Sequence, residues 1–138
     1  MFFLIVSIFF INTVFVVAQV QPAKITGSMT DQAVDLNDDG MYDVLKIGVE
    51  INVTIAGRYS VEVFGLYDDS ANYVEVANIN STYLDQGIQV VYVSLDGSII
   101  YSSGLNLNTI AIIELDDEND TEIDVRYDHR LSKTYSFL

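Results

Sequence analysis

The chain of 138 residues contains no cysteine, which excludes a disulfide framework, a thiolate nucleophile and any cysteine-built zinc or iron–sulfur site. Basic residues are also scarce, because six Lys and Arg stand against 20 Asp and Glu and leave a net charge of −14. Binding to phosphate backbones needs clustered Lys and Arg. This balance therefore excludes a nucleic-acid binder and disfavours anionic membrane surfaces. Stability must come from an apolar core, supplemented by a bound ion.

Residues 1–18 differ in composition from everything that follows. Fifteen of them are apolar, none is charged, and the run ends at Gln19. The small Ala18, with Val16 two places before it, is typical of a signal-peptide cleavage site. No Lys or Arg follows Met1, so the α-amino group alone supplies positive charge, and an uncleaved membrane anchor is the alternative. Both interpretations predict an exported protein, secreted or held at the cell surface, with no other membrane association.

The rest of the chain has a hydrophobic period of two, which is typical of half-buried strands. The clearest stretch is Leu45 to Ile55, where apolar and polar residues alternate without a break. A tight turn is predicted at Ala56 and Gly57, after which the segment Arg58 to Tyr67 returns with Tyr59, Val61 and Val63 inward. Its apolar phase then shifts beside Gly65, which predicts a β-bulge there.

Shorter runs bounded by turn residues predict further strands. These are Lys24–Met29, Tyr73–Ile79, Ile88–Leu95, Ile99–Tyr101 after an Asp96-Gly97 hairpin turn, Thr109–Leu115, Glu122–Tyr127 and a closing Tyr135–Leu138. About seven or eight short, closely spaced strands predict an all-β fold, namely an antiparallel β-sandwich of immunoglobulin-like or jelly-roll-like type. No linker divides residues 19–138, so we expect one domain there.

The most specific chemical signal lies between the first two predicted strands. Side chains that carry oxygen stand at positions 1, 3, 5 and 9 of a nine-residue loop, and they belong to Asp35, Asn37, Asp39 and Asp43. A chain coiled around Ca²⁺ presents alternate residues to the ion, which takes six to eight oxygen ligands. Gly40 permits a sharp turn, and the carbonyl of Met41 completes the predicted ligand set. Lys46 stands where an EF-hand would carry its bidentate Glu, so this loop is not an EF-hand.

The loop form Asp-x-Asn-x-Asp-Gly-x-x-Asp resembles the calcium loops of integrin α-subunit propeller repeats. The wider stretch, from DLNDDGMYDVLKIGVEINVTIAGRYSVEVFGLYDD to LDGSIIYSSG, is similar to a β-sandwich module of exported archaeal and bacterial surface proteins and secreted proteases. That resemblance implies one structural Ca²⁺ ion bound by Asp35, Asn37, Asp39, Asp43 and the carbonyl of Met41. A propeller needs several repeats and the loop occurs once, so the propeller fold is not implied.

A second acidic segment runs from Glu114 to Asp124 and carries a carboxylate at every second position. One hypothesis is a second metal site that uses some of Asp116, Glu118, Asp120 and Asp124. The alternative, which we favour, is a hairpin loop from Asp116 to Thr121 with its acids in solvent.

Signs of catalysis are few. His129 is the only histidine, and no serine lies in a nucleophile-elbow sequence. Tyrosines at positions 42, 67, 73, 83 and 101 lie near strand ends, where we expect them to frame the core, and a rim for a protein or glycan partner is the alternative. Asn52, Asn80 and Asn119 begin glycosylation sequons.

Together these features predict a calcium-stabilised, exported β-sandwich module with a non-catalytic role in cell-surface interaction, adhesion or assembly. Two alternatives remain open. The first is a small secreted hydrolase or its accessory domain. The second is a subunit of an extracellular filament, because edge strands can accept a strand from another copy of the chain.

Overall fold

A computed structural model describes residues 20–136, so the predicted signal segment 1–18 and the last two residues lie outside the described part. Within that part the chain forms strands β1 (Ala23–Val34), β2 (Val44–Val53), β3 (Gly57–Tyr67), β4 (Tyr73–Leu84), β5 (Gly87–Asp96), β6 (Leu107–Asp116) and β7 (Glu122–Tyr135), with helix α1 (Gly97–Ser103) between β5 and β6.

The strands form two sheets, one with the order β1-β2-β5 and one with the order β4-β3-β6-β7. All neighbouring strands are antiparallel. The predicted all-β sandwich is confirmed. The tight turn predicted at Ala56 and Gly57 does not return the chain beside β2, because β3 crosses into the other sheet.

The core is built from the alternation seen in the sequence. The inward residues of β2 are fully buried, and so are Val61 and Val63 of β3. Leu66 continues this buried face only because the register between β3 and β4 shifts at Gly65, which has a φ of 74°. The predicted bulge is therefore confirmed, and glycine fits it because other residues rarely adopt that φ.

Residues 97–103 form a helix, so the strand predicted at Ile99–Tyr101 and the hairpin turn at Asp96-Gly97 are wrong. Asp96 acts as the helix N-cap, accepting a hydrogen bond from the backbone N–H of Ser98 at 2.8 Å. Gly104 ends the helix in a left-handed conformation, with a φ of 68°. With seven residues, α1 is too short to cross a membrane, and residues 20–136 contain no longer helix. The first residue of the predicted closing strand, Tyr135, is the last residue of β7, and the final two residues of that prediction lie outside the described part.

Where the edges of the two sheets meet, side chains take the place of missing strand partners. At the seam between β1 and β7, the carboxylate of Asp124 accepts from the N–H of Ile25 at 2.8 Å, and the guanidinium of Arg126 donates to the carbonyl of Ile25 at 2.7 Å. At the opposite seam, the amides of Asn78 and Asn80 on β4 donate to backbone carbonyls of β5, both at 2.8 Å. These bonds satisfy edge groups that would otherwise attract another strand.

Asp31 of β1 extends the first seam. Its carboxylate accepts hydrogen bonds from the hydroxyls of Ser132 and Tyr135, both at 2.6 Å, and from the backbone N–H of Ser132 at 2.8 Å. Burial alone would raise the pKa of Asp31, but these bonds outweigh burial and lower it. The stabilisation they give is therefore present above the unfolded pKa, about 3.8, and is lost as the pH falls through the lower folded value.

Replacing Tyr135 with Phe tests this seam, because it removes the donated bond and keeps the buried ring. We expect the free energy of unfolding at neutral pH to fall by about 1.5–3 kcal/mol, the range for a hydrogen bond to a charged group. Chemical denaturation would compare this variant with Tyr127→Phe, a control on the same strand whose side chain is 62% exposed. Equal stability of the two variants would contradict the assigned role.

Candidate functional site

The loop of residues 35–43 connects β1 to β2, the two strands that pair along its base. The base is closed by the N–H of Asp43, which donates to the carbonyl of Val34 at 2.9 Å. Asp38 and Gly40 have left-handed φ angles of 60° and 86°, which coil the chain tightly. Asp and Gly are among the residues that tolerate this conformation best.

The carboxylate of Asp35 lies at the start of the coil and accepts three backbone hydrogen bonds. The donors are the N–H groups of Asn37 at 3.2 Å, Asp38 at 2.7 Å and Gly40 at 2.9 Å. The bond from Gly40 is the largest cause that lowers the pKa of Asp35, so this side chain stays ionised at neutral pH.

The remaining predicted ligands are also turned toward the backbone of the loop. Asn37 accepts from the N–H of Asp39 at 2.9 Å, and Asp39 accepts from the N–H of Met41 at 2.8 Å. Asp43 accepts from the N–H of Leu36 at 2.6 Å, and its other oxygen lies 3.5 Å from the amide nitrogen of Asn37. The side chains at positions 1, 3, 5 and 9 therefore all accept a hydrogen bond from a backbone N–H of the loop. The side chain of Met41 is exposed.

Within residues 20–136, no three carboxylate or imidazole side chains converge closely enough to form a metal-binding group. In the loop, backbone N–H groups donate to the carboxylates of Asp35, Asp39 and Asp43. Calcium binding by Asp35, Asn37, Asp39, Met41 and Asp43 therefore stays a prediction.

The far end of the loop is fixed to helix α1. The N–H of Gly97 donates to the carbonyl of Asp43 at 2.8 Å. A Cβ atom at position 97 would overlap the carbonyl oxygen of Tyr42 and come within 2.8 Å of the carbonyl carbon of Asp43. Only glycine allows this approach, so the position of α1 and that of the loop depend on each other.

The acidic segment 114–124 is a hairpin, as we favoured from the sequence. Strand β6 ends at Asp116 and β7 begins at Glu122. Between them the carboxylate of Asp117 accepts from the N–H groups of Asn119 at 2.8 Å and Thr121 at 3.1 Å. Glu118 and Asp120 are exposed in this turn, whereas Asp124 lies at the seam with β1, so the four residues of the hypothetical second metal site are divided between two places.

The outer face of the four-stranded sheet carries an acidic pair, Glu62 and Glu114, which the sequence did not reveal. Glu62 lies directly opposite Glu114, and Asp116 lies opposite Glu122. Desolvation, followed by the charges of Asp116, Glu122 and Glu62, raises the pKa of Glu114. Desolvation and nearby charge also raise the pKa of Asp116, whose buried Oδ1 has no hydrogen-bond partner among the described residues. Like charges in direct opposition destabilise a sheet.

The tyrosines near strand ends do not frame the core. Tyr42, Tyr73, Tyr83 and Tyr101 are each about half exposed or more, and the buried tyrosines are Tyr59 and Tyr135. Tyr67 is partly buried and donates to Asp128 at 3.0 Å. The exposed rings are therefore available to a partner.

His129 lies on β7 opposite Ile110, and desolvation lowers its pKa. Asp31, whose negative charge opposes this lowering of the His129 pKa, is bonded directly to the hydroxyl of Ser132. In a catalytic triad the histidine stands between the serine and the carboxylate. Here the hydroxyl of Ser132 donates directly to the carboxylate of Asp31 instead.

The three sequon asparagines differ in environment. Asn80 uses its amide to close the seam with β5, and Asn52 is partly buried on β2. Asn119 is exposed at the tip of the β6–β7 turn, so its side chain is the most accessible of the three.

No family model, curated protein or solved structure matches the chain.

Replacing Glu114 with Gln tests the cost of the acidic pair. Because the folded pKa of Glu114 is raised, wild-type stability should increase as the pH falls from 7 toward 4.5, and the variant should show less of this increase. At pH 7 we expect Glu114→Gln to be more stable by about 0.5 kcal/mol. Thermal unfolding across this pH range would measure both effects. The control is Glu118→Gln in the exposed turn, and an equal response of both variants would contradict the interpretation.

Proposed function

We propose that this protein is an exported β-sandwich module that is stabilised by one Ca²⁺ ion and acts without catalysis in cell-surface interaction, adhesion or assembly. The observation that carries the proposal is the coiled loop between β1 and β2. Its side chains at positions 1, 3, 5 and 9 each accept a hydrogen bond from a backbone N–H of the same tightly coiled loop, and their spacing is the one that calcium loops use.

The donor set fits a hard cation. Asp35, Asn37, Asp39, Asp43 and the carbonyl of Met41 would supply oxygen ligands, which calcium prefers to nitrogen or sulfur. Four carboxylates occupy nine residues of this loop, and no Lys or Arg lies among them. A divalent ion would offset their mutual repulsion. Bound there, it would hold together the start of β2, the end of β1 and, through Gly97, helix α1.

A role in recognition is supported by the exposed surfaces of the molecule, which are sheet faces and loops. Side chains close parts of both seams, which makes strand addition less favourable than contact through sheet faces and loops. The partly exposed tyrosines offer apolar rings with hydroxyl groups, which suit a protein or glycan partner. Assembly with other copies of the chain would use the same surfaces.

The hydrolase alternative receives less support. His129 and Ser132 lie on the same strand, but Ser132 donates to Asp31 and lacks a base positioned to activate it. We therefore favour binding over chemistry.

The calcium proposal predicts a gain in stability with the ion. At millimolar calcium we expect about 1–2 kcal/mol of added stability relative to chelator, if affinity resembles that of extracellular modules. Thermal unfolding in calcium and in chelator measures the difference. Asp39→Ala should abolish it.

Asp38→Asn is the matched control, because Asn also tolerates a left-handed φ and position 38 is outside the predicted ligand set. It should keep the calcium response. A wild-type protein that unfolds at the same temperature in calcium and in chelator would contradict the proposal.

Export predicts processing of the full chain in the cells that produce it. The apolar segment 1–18 should be removed, so mass spectrometry should find a mature protein that begins at Gln19 outside the cytoplasm. Full-length protein in the membrane fraction would instead indicate an anchor. Full-length protein in the cytoplasm would refute export.

A further inference from the structure

A cleft of about 290 Å³ lies between the loop 35–43, helix α1 and the end of β7. Its aromatic walls are Tyr42, Tyr101 and Tyr135, one from each of these elements. Gly97 lies among the lining residues, where the backbone of the loop meets the helix. The volume is near the lower limit of ligand pockets and suits a small molecule.

The charged residues that line the cleft are all acidic. Asp39, Asp43 and Asp96 are among the described residues that line it, and none of these lining residues is Lys, Arg or His. The ion pairs found within residues 20–136 involve Asp69 and Asp124, so none of the three cleft carboxylates is neutralised by a basic side chain. Hydrogen bonds from Ser98 lower the pKa of Asp96, which keeps this carboxylate charged at neutral pH.

The aromatic walls add a second kind of attraction. Tyr42 and Tyr101 are 56% and 55% exposed, so their rings can be reached from solvent. Tyr135 is fixed by its bond to Asp31, and the ammonium nitrogen of Lys133 lies 5.2 Å from the centre of its ring, so this wall already attracts a positive charge. The faces of tyrosine rings attract ammonium groups, and several rings around one space form an aromatic cage.

We propose that this cleft binds a small organic cation, namely an amine or a quaternary ammonium compound. Carboxylates and tyrosine rings both favour positive charge. A neutral sugar could stack on the rings but would leave the charge of Asp96 without a counterion. The inference does not rest on the calcium proposal, because Asp96, Tyr101 and Tyr135 lie outside the loop 35–43.

The test uses choline and its uncharged analogue 3,3-dimethylbutan-1-ol, which has the same shape. Titration calorimetry in chelator and low salt separates this test from calcium binding. We expect choline to bind saturably, the neutral alcohol to bind at least about tenfold more weakly, and added salt to weaken choline binding.

Two variants assign the binding to the cleft. Asp96→Asn keeps an efficient N-cap for α1 but removes the charge, and it should weaken choline binding by about tenfold. Tyr101→Leu removes one ring and should have a similar effect. Tyr83→Leu, at an exposed tyrosine on β4, is the control and should bind as the wild type does.

Circular dichroism of each variant would show that the fold is intact. Equal binding of choline and the alcohol would overturn the proposal. It would also be overturned if choline failed to bind, if glucose bound while choline did not, or if Asp96→Asn and Tyr101→Leu kept wild-type affinity.

Discussion

Every backbone group near the core needs a hydrogen-bond partner, and the two seams between the sheets are where strands cannot provide one. Side chains meet this constraint. Asp124 and Arg126 bond both backbone groups of Ile25, and Asn78 and Asn80 bond carbonyls of β5. These polar residues occupy inward positions that a simple sandwich would fill with apolar ones. The apolar core between the sheets is enclosed because its polar boundary is satisfied.

The same constraint explains which strands could be predicted. In β2 and most of β3, the alternation is unbroken because these strands lie inside their sheets and bury one face completely. In β4 and β7, inward polar residues interrupt the alternation. The sequence therefore ended the predicted strands at Ile79 and Tyr127, whereas the structure continues them to Leu84 and Tyr135. Helix α1 was missed because seven residues are too few to establish a helical period.

Local and distant features of the candidate site also differ in predictability. The loop 35–43 could be found from spacing alone, because the hydrogen bonds of its predicted ligand side chains all lie within nine residues. The cleft and the acidic pair could not, since they depend on which strands become neighbours. Glu62 and Glu114 are 52 positions apart in the chain and meet only through the pairing of β3 with β6. The attachment of the loop to Gly97 is equally non-local.

The position of β1 beside β7 has a consequence for how the molecule forms. Bonds across this seam join residues about 100 positions apart, for example Asp31 with Tyr135. A growing chain cannot make them until the last strand is available, so the sandwich remains open through almost the whole of synthesis. Closure over so long a loop is slow. The export proposed above would benefit from this delay, because the sandwich stays open until its two end strands can meet.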